Sequence, residues 1–177
     1  MSLLLPLHYF YAQRESDFPP IEFLDSGDVP QPQNSLLVHD LDMTSTLTRF
    51  HGIDLSLNVL SAEQSEDYLI RMVVLERADN GLPVEFGAIG IHLNKLERPM
   101  RDAVIAQEAP FGGLLEKYEV DFCSSPKGYF LINADQLIGD ALQVECHTGL
   151  YGRCNELTDP EGFSLADIVE VLPLLNT

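Results

Sequence analysis

Apolar and polar positions along this chain follow two periods, and each change of period marks an element. Between residues 36 and 50, Leu36, Met43, Leu47 and Phe50 recur at helical spacing, with Ser35 placed to cap the start and Gly52 able to close the end in left-handed backbone. Ile53, Leu55, Leu57 and Val59 then alternate with Asp54, Ser56 and Asn58, the period of two expected of a half-buried strand. The run 68–76 predicts a second strand, Asp79-Asn80-Gly81 a tight turn, and 83–93 a third strand rich in Val, Ile and Gly. These three are expected to form an antiparallel meander.

Helical spacing returns over 96–107, where Met100, Val104 and Ile105 share a stripe, and Pro110 with Phe111, Gly112 and Gly113 opens a further short amphipathic helix. Segments 141–146, 150–157 and 163–172 read as three more strands, the last two joined by the turn Asp159-Pro160-Glu161-Gly162. Strands on both sides of a helical middle predict an antiparallel α+β sandwich, with helices 36–50 and 96–107 packed on the sheet. Residues 13–34 carry Pro19, Pro20, Pro30 and Pro32 among polar residues and read as an irregular surface connection. The expected organisation is one domain over 1–177, an N-terminal segment 1–34 followed by a core over 35–173.

Composition narrows the function classes. A hydrophobic fraction of 45% with 21% charged residues is globular composition. Twenty-eight acidic against ten basic side chains leave a formal charge of −18, a field that repels phosphate backbones and anionic headgroups, so no nucleic acid is expected as a partner. An anionic small molecule must be captured by a few well-placed basic side chains. The apolar run at the start lacks a basic region and is interrupted by Pro6, and no stretch approaches the roughly twenty apolar residues of a membrane span. A cytoplasmic monomer or homodimer is expected.

Cys123, Cys146 and Cys154 form no C-x-x-C pair and read as reduced thiols. Cys146 adjoins His147, but neighbours on a strand face opposite ways, which disfavours a thiol–imidazole pair. The five histidines show no metal-ligand spacing, and glycine-rich nucleotide loops and G-x-S-x-G are absent from the sequence, so no metal or cofactor is expected.

Arg71 is the single charge in Tyr68-Leu-Ile-Arg71-Met-Val-Val-Leu75, where it shares a face with Leu69, Val73 and Leu75. A guanidinium among apolar neighbours needs an anion for its planar fork, which a protein carboxylate or a ligand can supply. Phe111 and Gly112 stand where backbone amides at a helix start could accept a carboxylate, and the same glycines also suit plain turn chemistry. Arg153, in Gly149-Leu-Tyr-Gly-Arg153, could meet a second carboxylate or pair with one of the many acids. Glu170, in Val169-Glu170-Val171-Leu172-Pro173, has apolar neighbours that could raise its pKa, with Asp167 the competing acid.

Taken in order, six segments resemble the chorismate lyase family and its archaeal and cyanobacterial-type relatives over about residues 35–173. They are Ser45-Thr-Leu-Thr-Arg49-Phe50, the strand containing Arg71, Pro83-Val-Glu-Phe-Gly-Ala-Ile89, Ala109-Pro-Phe-Gly-Gly-Leu-Leu115, Gly149-Leu-Tyr-Gly-Arg153 and Glu170-Val-Leu-Pro173. The resemblance implies a six-stranded antiparallel sheet with the ligand held beneath helical flaps, and a carbon–oxygen lyase that converts chorismate to 4-hydroxybenzoate and pyruvate without a cofactor.

By position, Arg71 looks like the family's carboxylate-binding arginine, and Phe111 stands where lyases commonly carry Leu and bind the same carboxylate through a backbone amide. Arg153 would meet the enolpyruvyl carboxylate. Glu170 looks like the acid near the ring hydroxyl, one residue closer to the following proline than in the lyase pattern, an offset that turns a strand side chain over unless a bulge intervenes. Residues 121–148 are longer than the matching lyase stretch and read as an insertion. The same fold also serves as the effector-binding domain of bacterial transcription regulators, which makes a non-catalytic module binding an aromatic carboxylate the alternative.

Overall fold

The computed structural model describes residues 3–175. Within the N-terminal segment, helix α1 (Leu5–Gln13) precedes the stretch expected to be irregular. Leu4, Leu7 and Tyr11 are buried at helical spacing, with Phe10 beside them, and Pro6 fits the first turn, where its missing N–H costs nothing. A short strand, β1 (Ile21–Leu24), follows inside the stretch expected to be irregular.

The helix expected over 36–50 is two helices, α2 (Gln33–Leu37) and α3 (Met43–His51). Asp42 rather than Ser35 caps the longer one, its Oδ1 accepting the Ser45 amide at 2.9 Å, and Gly52 closes it at φ 65° as expected. The break at 38–42 frees backbone carbonyls that a continuous helix would have consumed, and the protein uses them at a buried arginine described below.

The meander forms as expected: β2 (Leu55–Gln64), β3 (Tyr68–Arg77) and β4 (Pro83–His92) pair antiparallel. Helices α4 (Arg98–Ile105) and α5 (Phe111–Lys117) come next, then β5 (Cys123–Asn133), α6 (Gln136–Leu142), β6 (Gly149–Thr158) and β7 (Ser164–Val171). The sheet is antiparallel with order β1-β5-β6-β7-β4-β3-β2. Among the described residues it therefore has seven strands, which corrects the expected six.

The extra strand is β1, while the unforeseen β5 takes the place of the strand expected over 141–146. Pro126 and Gly128 disguise β5, because proline interrupts a ladder, and the ladder accommodates them by a register shift between those residues. The stretch 141–146, expected as a strand, instead contains the end of α6 and a turn. Asp135 caps that helix by accepting the Ile138 amide at 2.9 Å, Ile138 and Leu142 bury one face, and Gln143 ends it at φ 56°. Cys146 and His147 thus lie on a turn, not on a strand.

The two sheet faces carry different cores. One packs Met72, Val74, Phe86, Phe130 and Val169 against α1 and α6. The other carries two separate clusters. Leu69, Ile89 and Ile91 meet α4 and α5, whereas Leu75 and Leu172 meet α2 and α3. The seam between these two clusters holds the candidate site.

Candidate functional site

The seam is a cavity of about 50 Å³. Its sheet wall carries Leu57, Arg71, Val73, Glu85, Gly87, Asn155, Ile168 and Glu170, and the starts of α3 (Asp42 to Thr44) and α5 (Pro110 to Gly112) cover it. The strand period places these residues: register sets Arg71 opposite Ile89, Val73 opposite Gly87 and Leu75 opposite Glu85. Gly112 is where the two covering helices press together. A Cβ there would lie 2.5 Å from Asp42 Oδ1 and 2.9 Å from Thr44 Oγ1.

Arg71 is 1% exposed and lines this cavity. Nη2 donates to the Ala109 carbonyl at 3.4 Å, while Nε and Nη1 have no partner, and among the described residues no carboxylate forms an ion pair with it. Burial pushes its guanidinium down to about 10, so it remains cationic at neutral pH. A buried cation without a carboxylate partner, facing this cavity, has two unpaired nitrogens, Nε and Nη1, to offer an anion.

Arg153 and Glu170 are opposite one another on β6 and β7, and their side chains form an ion pair, Nε donating to Glu170 Oε2. The rest of the Arg153 fork holds the 38–42 strap. Nη1 donates to the carbonyls of Leu37 at 3.2 Å and His39 at 3.1 Å, and Nη2 to that of Leu41 at 3.0 Å. Asn155 Nδ2 donates to Ser124 Oγ at 3.0 Å, and the single Ser124 hydroxyl proton is shared between Asn155 Oδ1 at 3.2 Å and the Leu41 carbonyl at 3.3 Å, tying the strap to β5 as well.

The His39 ring belongs to the same network. Nδ1 accepts the Leu41 amide at 3.1 Å, so Nε2 carries the proton and donates to the Leu36 carbonyl at 2.7 Å. Burial and the neighbouring Arg153 charge hold this imidazole below its usual pKa.

The structure therefore brings Arg71, Phe111, Gly112 and Glu170 around one cavity, whereas the Arg153 guanidinium is engaged with Glu170 and the strap carbonyls. Despite its offset from the proline, Glu170 lies on the cavity side, alternating with Val169 and Val171 of the opposite core. Asp167 is partly buried, and burial raises its carboxyl pKa.

Glu85 was not singled out from the sequence. It is 4% exposed, its Oε2 has no partner, and it lines the cavity with Arg71. Burial pushes its carboxyl well above the usual range, the Glu170 charge adds to the push, Arg153 opposes it and Asp42 adds again. The sequence signal was the one used for Arg71: a single acid in the apolar run 83–91.

This shift has a consequence for stability. A carboxyl with a raised folded pKa contributes stability that is fully present below the unfolded carboxylate value and is lost as pH rises through the folded one. Over that window the loss is about 1.4 kcal/mol per pH unit. Glu85→Gln cannot ionise, so the thermal melting temperature of the wild type is expected to fall relative to this variant as pH rises from acid toward and through that window. Parallel melting curves at all pH values would show that folding leaves the Glu85 pKa unshifted.

No helix among the described residues is long and apolar enough to cross a membrane, and no group of three or more potential metal ligands occurs among them. No family model and no curated protein matches the chain.

Solved structures do match. The ligand-binding domain of a regulator assigned to the GntR family from Bordetella bronchiseptica aligns with a TM-score of 0.52 at 13% identity, over 67% of this chain and 85% of that one. The effector domain of PhnF from Mycobacterium smegmatis aligns at 0.54 and 10% identity, over 77% of this chain and 95% of that one. PhnF itself aligns at 0.57 and 11% identity over 75% of this chain, which spans 63% of the PhnF chain. The likeness is one of fold. The chain thus shares the architecture of regulator ligand-binding domains, and at these identities the likeness carries no assignment as a chorismate lyase.

Proposed function

We propose that this protein is a small-molecule-binding module for a carboxylate ligand held at Arg71, with the starts of α3 and α5 as its cover. The observation that carries the reading is Arg71 itself: buried to 1%, without a protein carboxylate, and facing a cavity. Burying an unpaired cation opposes folding, and a ligand carboxylate would turn that cost into affinity through two parallel charge-assisted hydrogen bonds. The fold neighbours, named as ligand-binding and effector domains, support binding as the role.

Binding is favoured over turnover of chorismate because Glu170, the acid expected near the ring hydroxyl, and Arg153, expected to meet the enolpyruvyl carboxylate, are paired with each other. Arg153 also has strap carbonyls on its remaining nitrogens, which leaves no second free cation for the enolpyruvyl carboxylate. The cavity of about 50 Å³ holds a few waters, less than the roughly 150 Å³ of an apolar cavity that takes benzene, so a ring enters only as α3 and α5 part.

Calorimetric titration with 4-hydroxybenzoate, beside incubation with chorismate and chromatography of the products, tests the reading. Saturable binding with chorismate recovered intact is the expected result. Release of 4-hydroxybenzoate and pyruvate would establish the lyase activity instead, and absence of any carboxylate binding would remove the proposed role.

A further inference from the structure

Among the described residues lining the cavity, two buried side chains keep polar atoms without partners, Arg71 at Nε and Nη1 and Glu85 at Oε2, and they are of opposite type. Arg71 and Glu85 lie on one face of adjacent strands, separated by the rung at which Val73 meets Gly87. Four residues of strand put their backbones about 13 Å apart along the sheet, and both side chains line the same cavity. Gly87 keeps that interval open next to the acid, since a Cβ there would stand 3.2 Å from Glu85 Oε1 and 2.7 Å from the Val169 carbonyl oxygen. Between the two polar ends the wall is apolar, formed by Val73, Ile89, Ile168 and Phe111.

We propose that Glu85 sets the ligand class of this cavity, hydrogen-bonding the neutral hydroxyl or carbonyl end of a ring monocarboxylate whose carboxylate lies on Arg71. The proposal rests on the carboxylate-binding reading above and adds to it a charge count and a polarity.

Glu85 forms no ion pair, so its charged form would be a desolvated anion, and it faces Glu170, Arg153 and, at the cover, Asp42. Arg153 is committed to Glu170, and both Asp42 oxygens are engaged by Ser45, whose amide and hydroxyl donate to them. None of these supplies a free cation at that end. Held neutral, the Glu85 carboxyl both donates and accepts a hydrogen bond, which suits a hydroxyl or carbonyl and repays nothing to an apolar edge. A second carboxylate there would meet Glu85 and Glu170 with no counter-charge, so the cavity as a whole accepts one negative charge.

Three probes of one shape separate the possibilities: benzoate, 4-hydroxybenzoate and terephthalate, which places a second carboxylate where the hydroxyl stood. Calorimetry on the wild-type chain is expected to show 4-hydroxybenzoate about tenfold or more tighter than benzoate, and terephthalate about a hundredfold weaker than 4-hydroxybenzoate. Glu85→Leu should bind benzoate and lose the preference for the hydroxyl. Glu85→Gln, which keeps the shape and both hydrogen-bonding roles, should retain it. Wild-type affinity should also fall as pH rises through the Glu85 titration, and that of Glu85→Gln should not.

Equal binding of all three probes, still dependent on Arg71, would overturn this proposal and leave the carboxylate-binding role standing. A hydroxyl preference that survives Glu85→Leu would do the same. Failure of the wild type to bind any of the three would overturn both.

Discussion

Glu170→Leu is expected to lower the unfolding free energy by about 3–5 kcal/mol, because it leaves the Arg153 guanidinium buried without its counter-charge. Arg153 is 0% exposed and cannot turn to solvent, and its other hydrogen bonds go to uncharged carbonyls that do not replace a carboxylate. The effect should spread beyond the sheet, since the same guanidinium holds the carbonyls of Leu37, His39 and Leu41. Chemical denaturation should show the lost stability, and amide exchange should show 38–42 opening early. Replacing both partners, Arg153→Met with Glu170→Leu, should restore much of the sheet's stability without restoring the strap, because paired charges are removed together while the strap's acceptors stay unmet. A Glu170→Leu variant as stable as the wild type would mean that the pair does not hold the core.

Arg71 is expected to behave in the opposite sense. Its folded pKa of about 10 lies below the unfolded value, so folding disfavours the charge at every pH where arginine is ionised, and that penalty eases only as pH rises above about 10. Arg71→Met keeps the volume and removes the charge, and should raise the unfolding free energy of the ligand-free protein by on the order of 1–3 kcal/mol. The same variant should lose carboxylate binding by about a hundredfold or more, the consequence of removing a desolvated, charge-assisted pair of about 2–5 kcal/mol. Arg71→Lys should recover only part of the affinity, because an ammonium is a compact charge without the parallel donors of the guanidinium fork. Thermal melts and calorimetric titration of the three proteins provide both readings. A structural arginine would instead show the reverse pattern, destabilisation without a ligand effect.

The two predictions set a working division within one cavity. Of its lining groups, Glu170 is satisfied by Arg153, which does not itself line the cavity, whereas Arg71 and Glu85 keep polar atoms without partners. Buried groups without partners oppose folding, and their place beside a cavity supports the proposed ligand role over a packing one.

Period alone determined much of the framework. The meander of β2, β3 and β4 was legible because alternation, the Asp79-Asn80-Gly81 turn and β-branched composition all act within a few residues, and the αL closure at Gly52 is equally local. Arg71 was legible for the same reason, as a charge set against its own strand neighbours, and Glu85 was legible on identical grounds although less conspicuous among many acids.

Tertiary structure decided the rest, where the governing interaction is distant in sequence. The helix over 36–50 divides because Arg153, more than a hundred residues later, takes the strap carbonyls. Strand β5 tolerates Pro126 because β6 pairs around it with a shifted register, and β1 exists because β5 offers it an edge. Whether Arg153 or Arg71 was left without a protein carboxylate depended on which of them stood opposite Glu170 across a strand pair. No local pattern encodes that choice, because the register of two strands is set by the packing of the whole sheet.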